Sequence, residues 1–341
     1  MRRALTALIA VCLVAGLTAC RDENVGADGR LTIMVGGVDK VIYLPAMLSQ
    51  RLGYFADEGL DVKLLSESSG ATAENALVAG DVQGVVGFYD HTVDLQSKGK
   101  CITSVVQFAN IPGEVEVVAT DKADTIKGPQ DFRGKKLGYT SPGSSTDFLT
   151  RYLAVKGGLS TRDYTGVKAG AGGTFIAAID NHAIDAGMTT DPTVAQLVSS
   201  GKGKVLLDMR TEEGTRAALG GLYPASSLYT DCAWAARHKP IVQKLANALV
   251  RTLRFINEHS AEEIAGKMPH QYAKMGNDLY IKAIHDSKTM FNTDGRMDAD
   301  GARMVLDVLS QFSPTVKAKK DGIDLSKTYT TEFADQAGTK P

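Results

Sequence analysis

Short apolar runs alternate with longer amphipathic ones along this chain, and that alternation constrains the fold most. Runs rich in β-branched residues predict strands at 31–35, 61–65, 82–87, 102–108, 115–119, 136–139 and 205–208. Helical periodicity predicts helices at 43–52, 71–79, 145–155, 174–180, 240–259 and 302–312. Because strands and helices take turns, we expect an α/β fold with largely parallel sheets. The polar end at 315–341 is expected to wrap the surface or fray.

Composition and motifs narrow the function classes. The 341 residues suffice for two domains, and 38 Lys+Arg against 39 Asp+Glu leave no basic field that would hold a nucleic acid. The sequence contains no Gly-x-Ser-x-Gly elbow, His-Glu-x-x-His pair, phosphate-binding loop or Cys-x-x-Cys pair. We therefore expect no nucleic-acid partner, no metal, no cofactor and no catalytic residue.

The first twenty residues predict export. Arg2 and Arg3 precede an uncharged apolar run at 4–19, which is typical of a signal peptide and too short to span a membrane. The tetrapeptide Leu17-Thr18-Ala19-Cys20 resembles a bacterial lipobox, which implies cleavage before Cys20 and acylation of its thiol. Residues 20–30 would then tether the protein in the periplasm or at the outer face of the cytoplasmic membrane. An ordinary secretory signal, with Cys20 incidental, is the alternative.

Two further cysteines, Cys101 and Cys232, lie in the body of the chain. In an oxidising compartment they could pair, yet sequence separation says nothing about their distance in space. A disulfide and two buried free thiols both stay open.

The stretch at 43–62 begins with a predicted helix that contains Pro and small residues. An aromatic turn, Gly53-Tyr54-Phe55, follows it, and then an acidic turn, Glu58-Gly59-Leu60, leads into a strand. This resembles the signature of the substrate-binding proteins of bacterial ABC importers for nitrate, sulfonate, taurine and thiamine-pyrimidine precursors. Further similar segments follow in the family's order, at 131–138, 141–145, 177–186, Asp191-Pro192 and Tyr223-Pro224-Ala225.

The resemblance implies a type II periplasmic-binding-protein fold of two α/β lobes joined by two crossing segments. Lobe one would comprise 31–113 and 226–331, lobe two 114–225, with crossings near Gly113 and around 222–235. It also implies a monomer that passes a small molecule to an importer permease and its ATPase. Eukaryotic thiamine-pyrimidine synthases are similar in signature, so an enzyme stays an alternative, although this chain lacks their cysteine-rich motif. A ligand-sensing surface lipoprotein is another.

Ligand contacts are expected where strands hand over to helices, because binding crevices of open α/β sheets lie beyond the carboxyl ends of strands. The candidates are Gly37, Val38, Ser69, Gly70, Thr72, Phe88, Tyr89, Asp90, His91, Ser141, Gly143, Ser144, Ser145, Thr190 and Asp191.

Two ligand chemistries stay open at these junctions. Hydroxyls and backbone N–H groups at 140–146 would suit an oxyanion such as a sulfonate, unless they only cap the next helix. Tyr89 and Asp90 would instead suit a heteroaromatic or amine-bearing molecule. The alternative for this junction is a capping Asp90 with an exposed His91. At the last junction Thr190 is a better contact than Asp191, which the family resemblance assigns to turn chemistry.

Overall fold

The computed structural model describes residues 29–337, so the signal peptide, Cys20 and most of the tether lie outside the described residues. The strands are β1 (Arg30–Val35), β2 (Asp61–Ser66), β3 (Gly84–Phe88), β4 (Ile102–Gln107), β5 (Glu114–Ala119), β6 (Lys136–Tyr139), β7 (Thr165–Lys168), β8 (Ala186–Thr190), β9 (Gly203–Asp208) and β10 (Ser226–Asp231). The helices up to the second crossing are α1 (Leu44–Arg51), α2 (Tyr54–Asp57), α3 (Gly70–Ala79), α4 (Asp90–Ser97), α5 (Ser145–Lys156), α6 (Gly173–Asp180), α7 (Thr193–Ser199) and α8 (Glu212–Leu219). Those after it are α9 (Cys232–Arg237), α10 (Lys239–Glu258), α11 (Ala261–Lys267), α12 (Asn277–Ser287), α13 (Ala299–Phe312), α14 (Pro314–Lys319) and α15 (Glu332–Ala337).

The strands form two sheets of five, each with helices packed against it. The first has the order β2-β1-β3-β10-β4 and the second the order β7-β6-β8-β5-β9. Within each sheet the strands that follow one another through a helix are parallel, as βαβ connections require. The expectation of largely parallel sheets needs one correction. β10 and β5 run antiparallel to their neighbours, since each enters its sheet from the other half of the chain.

The chain crosses between the sheets at two places. It leaves the first sheet at the end of β4 and enters the second at the start of β5, and it returns between α8 and β10. Gly113 lies on the first crossing with a φ of 66°, and a side chain there would collide with Met290 and Ile42. Only glycine fits this backbone without strain. The residue limits of the two lobes remain a prediction.

Helix α10 anchors the first core. Its apolar stripe, which includes Val242, Leu249 and Leu253, is buried against the first sheet and α1. The end of the chain docks there too, since Phe333 of α15 is buried on α10. Of the two outcomes expected for 315–341, fraying is therefore wrong for α14 and α15, which pack on α13 and α10.

Helix α13 links the two halves. It packs on α5, which follows a strand of the second sheet, and on α4, which follows a strand of the first.

A disulfide joins Cys101 and Cys232, where β4 begins and β10 ends. Of the two alternatives that the sequence leaves open for these cysteines, the structure has the disulfide. Within residues 29–337, no helix has both the length and the apolar character of a membrane span.

Candidate ligand-binding cleft

The loops beyond the carboxyl ends of the parallel strands meet between the two sheets. Ser69, which follows β2, and Ser141, which follows β6, form a hydrogen bond across this boundary, with the Ser141 hydroxyl donating to Ser69 Oγ at 2.9 Å. Both side chains are buried. The Ser69 hydroxyl also accepts from the Thr72 backbone N–H and so caps α3. The start of α3 is thereby joined to the second sheet.

Asp90, at the start of α4, is the centre of a second contact between the sheets. Its carboxylate is fully buried and accepts hydrogen bonds from the Ser145 hydroxyl and the Tyr223 phenol, each at 2.9 Å. Ser145 begins α5, and Tyr223 lies on the second crossing. Burial raises the pKa of Asp90, although the charge of His91 and these two hydrogen bonds oppose the rise. One carboxyl group thus contacts both halves and the hinge.

His91 is buried next to a carboxylate. Its Nδ1 lies 2.8 Å from Glu74 Oε2, on the inner face of α3. Burial lowers the pKa of His91, but the charge and hydrogen bond of Glu74 outweigh it and raise that pKa to about 9. The neighbouring carboxylate therefore favours the protonated form of His91. Its Nε2 points at Gly70, where a Cβ atom would come within 2.7 Å of that nitrogen.

Glu114 is the first residue of β5, opposite Thr190 at the end of β8. Its side chain is 2% exposed, and Oε2 has no hydrogen-bond partner among the described residues. Burial and then the charge of Asp90 raise the pKa of Glu114 well above its usual range, although Lys40 lowers it in part. Lys40 itself donates to the Gly36 carbonyl at 2.6 Å, and burial lowers its pKa to about 8. This region therefore holds a Glu114 carboxyl oxygen without a partner among the described residues and a lysine that already donates to a backbone carbonyl.

The chain matches the family model described as NMT1/THI5 like over residues 42–263, more than half of its length. The chain belongs to the NMT1/THI5-like family. A curated relative, the 4-amino-5-hydroxymethyl-2-methylpyrimidine phosphate synthase of Schizosaccharomyces pombe, is 28% identical over 48% of this chain. The match covers 45% of that relative, so this chain spans less than half the length of the enzyme it resembles.

Solved structures are similar over nearly the whole of this family member. A protein from Bordetella bronchiseptica RB50 is 34% identical with a TM-score of 0.86, covering 91% of this chain and 97% of that one. The alkanesulfonate-binding protein SsuA from Xanthomonas axonopodis pv. citri has a TM-score of 0.67 at 16% identity, covering 89% and 98%. A ligand-binding component of an ABC-type import system from Staphylococcus aureus has a TM-score of 0.68 at 14% identity, covering 90% and 98%. The periplasmic-binding-protein fold implied by the sequence is confirmed.

The structure brings together only part of the predicted site of this NMT1/THI5-like protein. The residues that meet between the sheets are Ser69, Gly70, Asp90, His91, Ser141 and Ser145. Gly37, Val38, Thr72 and Gly143 border the same junctions. Ser144 caps α5, and its hydroxyl donates to the Ser141 carbonyl at 2.7 Å, so it holds its own loop together.

Two predicted contacts, Phe88 and Tyr89, belong to the hydrophobic cores and not to the cleft. The Tyr89 hydroxyl bonds to Thr328 Oγ1 at 2.6 Å, inside the core next to the chain end. Phe88 packs edge-on against Tyr43, with ring centroids 6.4 Å apart. His91 is not on the surface as the capping alternative expects. Tyr89 precedes α4 and Asp90 is its first residue; because successive helical residues point about 100° apart, their two side chains face different surroundings.

Thr190 and Asp191 lie at the same boundary but in a different set of contacts. Asp191 Oδ2 accepts from Arg210 at 2.8 Å and from the Ser287 hydroxyl at 2.9 Å, and the Asp191 carbonyl accepts from the Val41 N–H at 3.0 Å. Ser287 and Val41 belong to the part of the chain around the first sheet. We name Asp191, Arg210 and Ser287 the interlobe clamp.

Sequence reasoning missed Glu74, Glu114 and Tyr223. Glu114 begins a strand whose acidic residues alternate with valines, a pattern that predicts a solvent-facing edge. Tyr223 was noticed only as part of the Tyr223-Pro224-Ala225 segment that resembles the family. Glu74 lies one helical turn into α3, where its spacing from Gly70 is the only local signal of an inward face.

Proposed function

We propose that this protein is the extracytoplasmic solute-binding component of an ABC importer, which captures a small organic molecule by closing two lobes over it and delivers it to a permease. The contacts of Ser69 with Ser141 and of Asp90 with Ser145 and Tyr223 carry this proposal. Because they join loops from both sheets, a ligand between those loops would contact both halves at once and favour the closed arrangement.

Two further observations support this role. The similar structures named above include an alkanesulfonate-binding protein and a ligand-binding component of an ABC-type import system. The Cys101–Cys232 disulfide suits an oxidising extracytoplasmic compartment. We also propose that acylated Cys20 anchors the mature monomer to the membrane; the mass of the mature N-terminus tests this, since an unmodified residue other than Cys20 at the first position would contradict it.

We propose binding without turnover, in contrast to the synthase name of the curated relatives. The Schizosaccharomyces pombe relative matches 48% of the chain, and the disulfide occupies both cysteines of the described residues, so neither thiol is free for chemistry. Incubation of the purified protein with each bound compound, followed by mass spectrometry, tests this point. Any product formed in proportion to protein concentration would favour the enzyme.

The binding role is tested by thermal shift and X-ray scattering against alkanesulfonates, taurine, nitrate, aromatic acids and pyrimidines. A true ligand should raise the melting temperature by mass action and reduce the radius of gyration. Ser145→Ala removes a donor at the cleft, and we expect about threefold to tenfold weaker binding. Ser199→Ala is the matched control, because that exposed hydroxyl bonds only within its own helix. Unchanged scattering and melting with every compound would contradict the proposal.

A further inference from the structure

We infer that the protein carries an accessory site for a small carboxylate, in a surface cavity at the β7 edge of the second sheet. The cavity has a volume of about 270 Å³, which suits a small molecule. It is lined by Tyr139, Asp147, Arg151, Thr161, Tyr164 and Gly166. None of these is among the residues that meet between the sheets, so the site is separate from the cleft and independent of the proposed function.

An arginine with one free edge lines this cavity. A guanidinium carries five N–H donors in a planar fork, enough for two bidentate contacts. Arg151 uses one edge for Asp147, with Nε donating to Oδ1 and Nη2 donating to Oδ2, each at 2.7 Å. Its Nη1 makes no hydrogen bond and no ion pair among the described residues. The Nη1–Nη2 edge therefore offers two parallel N–H groups, the geometry that a carboxylate matches.

The guanidinium is held in place before any ligand arrives. The Asp147 side chain is 1% exposed, and its Oδ2 also accepts the Gly143 N–H at 2.8 Å. Arg151 lies one helical turn further along α5 and pairs with this fixed carboxylate. The Arg151 side chain is 35% exposed, so solvent reaches it. A donor that is already ordered loses little conformational entropy on binding, which favours a ligand at its free edge.

Two phenols add donors beside the guanidinium. Tyr139 ends β6 and Tyr164 directly precedes β7, and neither hydroxyl has a hydrogen-bond partner within residues 29–337. Gly166 makes room for one of them, because a Cβ atom there would come within 2.7 Å of the Tyr139 hydroxyl. Burial and then the charge of Asp147 raise the pKa of Tyr164 to about 12, so its phenol stays protonated and can donate. Glu116 adds to this rise but carries little charge itself, because burial raises its own pKa well above the usual range.

The charges around the cavity favour an anion. Both oxygens of Asp147 are already occupied by Arg151, so the pair is neutral and leaves no carboxylate for a cationic ligand. Lys168, the register partner of Tyr139 on β7, is exposed and makes no ion pair among the described residues. The free donors and this lysine together suit a carboxylate better than an amine or a neutral amide.

A matched set of aromatic probes tests this inference on the full mature protein. The compound para-fluorobenzoate carries the carboxylate, para-fluorobenzamide is its neutral counterpart, and para-fluorobenzylamine carries a cation on the same ring. Fluorine NMR follows each titration, because it detects weak binding. We expect saturable binding of the benzoate with a dissociation constant on the order of 1 mM. The amide and the amine should bind about tenfold more weakly or not at all.

Variants locate the binding. Arg151→Lys should weaken benzoate binding by about tenfold, since lysine keeps the charge but loses the bidentate edge. Tyr164→Phe should weaken it by about threefold with an unchanged melting temperature, since only a hydroxyl without a partner among the described residues is lost. Arg216→Lys is the matched control, because this surface arginine on α8 pairs with Glu212. It should leave binding unchanged, and so should Tyr223→Phe, which alters the cleft.

The outcomes that overturn the inference are distinct from those that overturn the proposed function. Absence of saturable benzoate binding up to about tenfold the expected dissociation constant overturns it. A loss in Tyr223→Phe but not in Arg151→Lys places the carboxylate in the cleft and overturns it too. Should Arg151→Lys fold poorly, as its melting curve would show, Tyr164→Phe decides instead. A protein that binds benzoate at Arg151 yet closes on no solute keeps this site and loses the proposed function.

Discussion

Loss of Arg210 from the interlobe clamp should destabilise the protein strongly. Arg210 Nη1 lies 2.8 Å from Asp191 Oδ2, and that carboxylate is fully buried. Breaking a buried ion pair from one side typically costs about 3–5 kcal/mol, because an uncompensated charge stays behind. In Arg210→Met the Ser287 hydroxyl and the Ala195 N–H continue to donate to Asp191. We therefore expect the lower end, about 3 kcal/mol of unfolding free energy.

Urea unfolding measures this loss, followed in parallel by the fluorescence of the single tryptophan and by far-UV circular dichroism. The fluorescence and circular-dichroism curves must coincide before a single unfolding free energy is taken from them, since a two-lobed protein can unfold in steps. Arg216→Met is the matched control, because its pair with Glu212 lies on the surface and should be worth about 1 kcal/mol or less. In the Arg210→Met background, Asp191→Asn should recover about 1 kcal/mol by removing the stranded charge.

Equal stability of Arg210→Met and Arg216→Met would refute the reasoning. It would mean that Asp191 takes a proton at little cost or that water reaches it once the guanidinium is gone. A double variant less stable than Arg210→Met alone would also contradict it, because the stranded charge would then not be the source of the loss.

Three further predictions concern the interior. The pKa of His91 is about 9 in the folded protein against the usual 6.5, so its protonation should stabilise the folded state by about 3 kcal/mol. This stabilisation should be complete below pH 6.5 and lost as pH rises through 9. Unfolding free energies at pH 6 and 9.5 check this, and Glu74→Gln should reduce the difference between them. Cys101→Ser, which breaks the bond to Cys232, should lower the free energy of unfolding, measured in urea, by about 2–5 kcal/mol. Reductant should leave the stability of this variant unchanged, and a variant as stable as the oxidised wild type would contradict the prediction. Phe333→Ala should cost about 3–5 kcal/mol if the chain end is part of the core, whereas a frayed end predicts no change in melting temperature.

The local hydrophobic pattern was enough to predict the strands whose own residues are mostly apolar. β6, for example, has the bounds predicted from the sequence. β10 was missed because its residues, Ser-Ser-Leu-Tyr-Thr-Asp, are mostly polar, yet all but the last are buried. It is a strand only because it pairs with β3 on one side and β4 on the other, inside the first sheet. β7 was missed for the opposite reason, since it is a short, mostly exposed edge strand with little apolar pattern.

The sequence by itself determined the α/β rhythm and the strand-to-helix junctions, because both depend on periodicity and turn residues within a few positions of each other. Only the tertiary structure decided which junctions meet, since the chain must cross twice between the sheets before Ser141 can reach Ser69. The same crossings bring Glu114 and Tyr223 towards Asp90. Local sequence could propose a polar cleft, but which polar groups face one another in it follows from how distant segments bury one another.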